Sequence, residues 1–258
     1  MEKNTPAVWN TFWKKRPVTP ADQYYFAYEE HSIRWQRIRS YMEKHFGSFH
    51  NLSVIEIGAG SGTYAALMAK QGARVSLMDY SSEALDRARA FFQLNNLSAD
   101  YIQADLLDLQ ESFTQRFDVC ISVGLAEHFK SSNRSRICKI HCDMVRQGGI
   151  CIISVPYKYS PFYQIFKCST QLLGIWQAGE EYPFSRQEFT KIFHNLQHQK
   201  IMFLYDSWYT AFNLINPIKI VKKLCGLNKL PSISSIKKEK GNFLDRYLAY
   251  SLVACIER

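Results

Sequence analysis

Between residues 54 and 62 the chain reads VIEIGAGSG, and no other stretch restricts its fold as much. An apolar run of strand length passes straight into three glycines at every second position, with helix-like sequence on either side. Gly58 permits backbone angles that a residue with a Cβ resists, and Gly60 and Gly62 clear room against the main chain. A ligand, rather than a side chain, is expected to pack there.

Strand and helix signals alternate around this turn. Strands are expected at 52–57, 73–79, 100–105, 117–123 and 149–156, with helices at 63–71, 82–96 and about 131–146 and a short helical piece after 105. Such alternation predicts a parallel sheet covered on both faces. Residues 22–46 read as a leading helix, whole or broken, stopped by Gly47. The aromatic-rich stretch 157–184 fits no simple crossover helix. A helix over 185–196 and strands over 200–206 and 249–257 then form a hairpin with a long insertion at its tip, the kind of insertion that is often functional.

At 258 residues and 47% hydrophobic content, one domain with insertions is the economical reading. No apolar run approaches the roughly 20 residues of a membrane span, and the first ten residues lack a secretion signal's apolar core, so a soluble, cytoplasmic protein is expected. Seven scattered cysteines with no CxxC suit a reducing compartment. Cys138, His141 and Cys142 share a helical turn, but no second ligand cluster accompanies them, and no metal is expected. The net charge of +9 comes from residues 1–16, at +3, and 214–240, at +6, which leaves a neutral body. Two basic appendages on a neutral fold do not describe a nucleic-acid-binding body.

Glycine turns after a first strand hold dinucleotides or S-adenosylmethionine. Here the third glycine stands one place too early for the dinucleotide spacing G-x-G-x-x-G, which disfavours a nicotinamide oxidoreductase. A sulfonium donor has no phosphate and needs carboxylates for its amino group and ribose. Asp79 ends the second strand, Asp105 the third, and Glu56 lies beside the turn. Each acid alone is equally well a helix cap.

Taken together, VIEIGAGSG, LMDYS, QADLLDL, FDVCISVGLAEHF and VRQGGICIISVPY, spaced from 54 to 157, resemble the class I S-adenosylmethionine-dependent methyltransferases. The resemblance covers about a hundred residues. It implies a Rossmann-like α/β fold with seven strands, mostly parallel, the last antiparallel. It also implies S-adenosyl-L-methionine as cofactor and S-adenosyl-L-homocysteine as product. Position by position, it puts Gly58, Gly60 and Gly62 along the methionine moiety and Asp79 at the ribose. Tyr80 falls on one adenine face, Asp105 and Leu106 at the adenine edge, and Ser122 and Val123 beside the methyl group.

SVGLAEHF is similar to the S-x-G-x-x-E-H-F element of small-molecule and lipid methyltransferases, a group that includes ubiquinone and menaquinone biosynthesis enzymes. That similarity implies catalytic places for Glu127 and His128, and His128 is the candidate base because its ordinary pKa lies near neutrality. Anchoring a loop is the competing role for His128. Adenine-type nucleic-acid methylation is disfavoured because SVGL stands where [DN]-P-P-[YF] is needed. A donor-binding partner subunit without turnover remains open.

The acceptor is expected to be small and largely apolar or aromatic, with O-, N- and C-methylation open. Its walls are expected from an N-terminal helical lid, 1–50, and from insertions in a core over 51–258: an acceptor cap at about 157–184 and a basic flap at 208–246. Tyr24, Tyr28, Tyr157, Tyr163, Trp176 and Tyr182 are the named candidates, against ordinary packing of a lid on the sheet. NPIKIVKKLCG, 216–226, reads as a short amphipathic helix whose lysines suit an anionic membrane, a phosphate or an acidic carrier surface.

Overall fold

A computed structural model describes residues 4–109, 113–196, 200–216 and 232–258. Seven strands form one sheet in the order β3-β2-β1-β4-β5-β7-β6. They are β1 (Ser53–Ile57), β2 (Arg74–Asp79), β3 (Asp100–Gln103), β4 (Phe117–Val123), β5 (Val145–Pro156), β6 (Ile201–Tyr205) and β7 (Ser251–Glu257). Only β7 runs against its neighbours. The expected seven-stranded, mostly parallel sheet with an antiparallel last strand is the observed one.

Period-two alternation divides the core. Val54, Val119, Ile121, Ile150 and Ile152 face one side, with Trp35, Leu67 and Phe92 from the helices there. Ile55, Ile57, Cys120, Cys151 and Ile153 face the other, with Ile137, Phe189 and Phe193. A strand buried on both faces is apolar at most positions, which is why these segments read as nearly continuous runs. Truncating a fully buried residue such as Ile55 to alanine costs about 2–5 kcal/mol.

The crossover helices are α4 (Thr63–Lys70), α5 (Ser82–Leu94) and α6 (Ser131–Met144), and α8 (Arg186–Asn195) precedes β6. The leading segment is three helices: α1 (Pro6–Lys14), α2 (Ala21–Glu30) and α3 (Ile33–Phe46). Ser32 separates the last two, because its hydroxyl accepts the Trp35 amide at 3.1 Å and starts a new helix. Two boundaries differ from expectation. β3 stops at Gln103 because Asp105 turns aside to accept the Leu107 amide. α6 stops at Met144 and β5 begins at Val145, with a register irregularity opposite Phe117 and Val119.

The aromatic stretch also contains a helix the sequence pattern did not disclose, α7 (Pro161–Leu172), opened by Ser160 and by a proline in its first turn. Helix α9 (Trp208–Ile215) packs against α7 through Phe162 and Phe212. The helix expected at 216–226 lies, beyond its first residue, outside the described residues.

Candidate active site

Parallel pairing of β1 with β2 and β4 brings the carboxyl ends of these strands to one edge, where ligands bind in an open α/β sheet. A cavity of about 1020 Å³ opens there, and Glu56, Gly58, Gly60, Asp79, Tyr80, Asp105, Leu106, Val123 and His128 all border it. Nine positions named from sequence thus meet in one space.

Asp79 is the fixed point of the turn. One carboxylate oxygen accepts the Gly60 amide at 3.0 Å and the other the Ser81 amide at 2.9 Å. Burial raises its pKa, and those amides pull it back. Glu56 accepts the Ala65 amide at 2.7 Å, capping the first turn of α4 from inside β1. Burial without a charge partner lifts it to about 8. A cationic group entering the cavity beside it therefore gains a carboxylate that is otherwise poorly compensated.

Gly60 has φ +52°, and a Cβ there would sit 2.5 Å from the Trp13 ring. Helix α1 thus lies across the turn. Asn4 donates to the His128 carbonyl at 2.9 Å, and Ser81 donates to Asn10 at 2.6 Å, so the strap is tied just before the helix and at its middle. Gly62 has another reason to be glycine: at φ +67° it starts α4, and a Cβ would meet Leu77 and Phe92 behind the turn. It does not border the cavity.

His128 borders the cavity from the short helical turn Ala126–His128, and its ring lies edge-on to Trp9 at 5.0 Å. Its Nδ1–H donates to the Glu180 carbonyl at 2.9 Å, which leaves the lone pair of the neutral ring on Nε2. Burial lowers its pKa, although the Glu180 and Gly124 carbonyls act the other way. Glu127 does not border that cavity. It is almost fully buried, its Oε2 has no partner among the described residues, and burial with Glu181 nearby raises it to about 8.

Ser122 is also behind the site. It donates to His141 Nε2 at 2.7 Å, while His141 Nδ1–H is held by the Ile137 carbonyl. Both ring nitrogens of His141 are therefore engaged away from Cys138 and Cys142. Glu127, His128 and Glu181 offer ligand atoms within 4.8 Å of one another, a spacing a cation can share, though His128 Nδ1 is already taken by a carbonyl. The six described cysteines are free thiols.

The six aromatic candidates do not border the cavity. Tyr28 donates to Glu239 at 2.9 Å, Tyr163 to Glu181 at 2.5 Å, Tyr182 to Glu180 at 2.7 Å, and the Trp176 indole to the Gly179 carbonyl at 2.7 Å. Tyr157 packs edge-on to Tyr159 and Tyr205, and Tyr24 to Tyr25. These contacts tie the peripheral segments to themselves and to each other.

Sequence reasoning missed a charged group on the cavity wall. Arg34 reaches it from α3, paired with Glu29 at 3.2 Å and with Asp206 at 3.8 Å, and Tyr64 bridges Arg34 and Glu29. Against the upward push of burial, Arg34 and the Tyr64 hydroxyl hold Glu29 below the ordinary carboxylate range. The signal was present: Arg34, Ile38 and Met42 share one stripe of α3, and the latter two are buried. An arginine ending an apolar stripe has a partner to meet.

The residues fit a nucleoside donor bearing an amino acid. A glycine-lined turn, a carboxylate at the end of β2, an acid in the turn after β3 and a guanidinium stand around one cavity. Residues 54–149 match the Methyltransferase domain family. A curated relative, the ubiquinone biosynthesis O-methyltransferase of Rickettsia typhi, is 28% identical over 159 residues, 60% of this chain and 63% of that protein. That of Vibrio atlanticus is 34% identical over 98 residues, 38% and 41% of the two chains. The chain therefore spans less than two thirds of the length of these relatives.

Among solved structures, magnesium protoporphyrin IX methyltransferase from Synechocystis PCC 6803 with bound SAH superposes with a TM-score of 0.58, 13% identity and coverage of 98% and 93%. A SAM-dependent methyltransferase from Thermotoga maritima gives 0.61, 12%, 98% and 99%. At such identities the likeness is one of fold. Sequence match, fold and cavity agree: the chain carries a methyltransferase domain of the class I, Rossmann-like type.

Proposed function

We propose that the protein transfers a methyl group from S-adenosylmethionine to a small, largely apolar or aromatic acceptor. The observation that carries this reading is the convergence of Glu56, Gly58, Gly60, Asp79 and Asp105 on one cavity that His128 also borders. The bound donor supplies a methyl group made electrophilic by its sulfonium. Asp79 has lone pairs to accept ribose hydroxyls, Glu56 faces the donor's ammonium, and Arg34 faces its carboxylate. Tyr80 and Leu106 flank the adenine, and Asp105 accepts from its amino group.

His128 takes the acceptor's proton at Nε2 as the acceptor oxygen attacks, since Nδ1 already donates to Glu180. Trp9, Leu125 and Phe129 on the same wall exclude water and suit an aromatic ring. O-methylation is favoured by the names of the curated relatives. Glu127, behind His128, serves as a positioning residue in this reading. The three N-terminal helices act as a lid and 157–184 as an acceptor cap. The basic segment 214–240 makes a peripheral contact with an anionic surface. Among the described residues no helix is long and apolar enough to cross a membrane.

The test is transfer of labelled methyl from S-adenosylmethionine to a panel of mono- and dihydroxyphenols, quinols and amines. Label in a phenol or quinol, lost in His128→Ala, supports the reading. Tight donor binding with no labelled acceptor favours a partner subunit that only holds the donor.

A further inference from the structure

We propose that the amino-terminal edge of the sheet carries a second binding site, one for a small molecule bearing a phosphoryl group. A cavity of about 370 Å³ opens there, lined entirely by polar and charged residues. The donor cavity lies at the other end of the same strands. Ser53, at the start of β1, borders the new site, and Gly58, just beyond the end of β1, borders the donor cavity, roughly 16 Å away along the strand. The polarity departs from the surrounding pattern. Ser53 and Ser76 stand two residues before Ile55 and Met78, on the face that those buried side chains fill further along β1 and β2. Serines in their place make a wet hollow where the rest of the face is core.

Three arginines reach this hollow from three separate segments. Arg74 opens β2, Arg116 directly precedes β4, and Arg146 lies near the start of β5. Register sets Arg74 beside Ser53. Their compensation is uneven. Asp118 is buried with both carboxylate oxygens engaged, Oδ2 by the Ser53 amide at 2.8 Å and Oδ1 by Arg146. Asp100, opposite Ser76, is the other acid on the wall, and it forms no ion pair among the described residues. Arg74 gives one donor to the Asn51 carbonyl at 3.3 Å. The Arg116 guanidinium has no partner among the described residues. Two forks of N–H donors are thus left to the cavity.

Those donors select the ligand. A guanidinium offers N–H groups in a planar fork and no acceptor, so its complement is an anion rich in oxygens. A carboxylate fills one fork, whereas a phosphoryl group presents three acceptor oxygens and up to two charges, enough for two forks at once. The Ser53 and Ser76 hydroxyls lie on the same wall and can donate as well. The cavity's size is that of a small-molecule site. A long polyanion needs an unbroken basic stripe, and here Asp100 and Asp118 interrupt it. The methyl donor carries no phosphate, so the two cavities take different ligands, and this inference stands apart from the methyl-transfer reading.

The experiment is calorimetric titration of the full chain, at about 0.15 M salt, with inorganic pyrophosphate, with glycerol 3-phosphate and with acetate. At least one phosphorylated probe should bind with a submillimolar Kd, and acetate at least about tenfold more weakly. The tighter of the two probes tells a free phosphate chain from a phosphate ester. Arg74→Gln with Arg116→Gln should weaken that binding at least about tenfold, and Arg116→Gln alone about threefold. Both variants should keep the wild-type melting temperature and S-adenosylhomocysteine affinity, since both arginines are exposed and neither borders the donor cavity. The probe should also bind undiminished when S-adenosylhomocysteine is present. No binding of either phosphorylated probe, full binding by the double variant, or equal binding of acetate would overturn the proposal. Displacement of the probe by S-adenosylhomocysteine would overturn it too, because the probe would then lie in the donor cavity. Failure of S-adenosylhomocysteine to bind would strike the functional reading and leave the phosphate result standing.

Discussion

The two halves of the site are built differently. Of the residues proposed to hold the donor, Glu56, Gly58, Gly60, Asp79, Tyr80, Asp105 and Leu106 sit within strands or shortly after their carboxyl ends, and all seven border the cavity. The six aromatics expected at the acceptor, from the leading and inserted segments, lie off the cavity, each tied to a neighbour of its own. A residue at a strand end inherits its place from sheet register, which the chain's own periodicity sets. A residue on an insertion is placed by tertiary packing that no local pattern encodes.

The largest expected effect probes the point where the halves meet. His128→Ala should lower turnover at least about 100-fold while changing S-adenosylhomocysteine affinity less than about threefold. Equal losses in both would assign His128 to the donor side and move the boundary. His128→Gln, which keeps a polar side chain at the Glu180 carbonyl, should be as slow as the alanine variant if proton removal is the role.

His141 sharpens the contrast within β4, where Val123 borders the cavity and Ser122 turns away. Burial drives His141 down to about 4, so the unfolded chain binds its proton first as pH falls through 6.5. Stability from neutral His141 is full above pH 6.5 and is lost as pH drops toward 4, roughly 3 kcal/mol in all. Denaturant midpoints of wild type and His141→Gln should therefore converge as the solution is acidified over that window; parallel curves would refute the buried neutral imidazole. Ser122→Ala should leave donor affinity within about twofold.

Asp79→Ala should weaken S-adenosylhomocysteine binding about 10- to 100-fold through loss of a charged hydrogen-bond acceptor, with Asp79→Asn in between. Glu56 adds a pH signature. Its pKa near 8 must fall when an ammonium group arrives, so binding at pH 7 should release protons, seen as a buffer-dependent heat in calorimetry. Glu56→Gln should abolish that dependence.

The smallest effects belong to the outlying aromatics. Trp176→Phe and Tyr182→Phe should each cost about 1 kcal/mol of stability or less and change kcat/KM less than about threefold, because each loses one hydrogen bond made by a side chain that does not itself border the cavity. A tenfold rise in KM at either position would restore it to the acceptor wall.

Legibility in the sequence divides along the same line. The strand positions and the placement of Glu56 and Asp79 could be read from apolar runs and glycine spacing, and the family resemblance implied the seven-stranded sheet with its antiparallel last strand. Gly62 and Ser122 could not be assigned correctly, because whether a residue at the turn or on a strand faces the cavity or the core depends on its neighbours. Leu77 and Phe92 close off Gly62, and His141 takes Ser122. Helix α7 escaped because its inner side buries Tyr163 while its outer side exposes Ile165 and Leu172, so apolar residues stand on both sides and blur the period. Arg34 escaped for a different reason. Its partners Glu29, Tyr64 and Asp206 lie 5, 30 and 172 residues away in sequence, and the last two fix the arginine to the body of the fold.

The most direct measurement is calorimetric titration of the purified protein with S-adenosylhomocysteine, with NADH as the control ligand and Asp79→Ala as the control protein. Micromolar binding of S-adenosylhomocysteine alone, weakened in Asp79→Ala, is the predicted result. No binding by a protein whose melting transition is intact, or equal binding of NADH, would contradict the donor site and the methyl-transfer reading built on it.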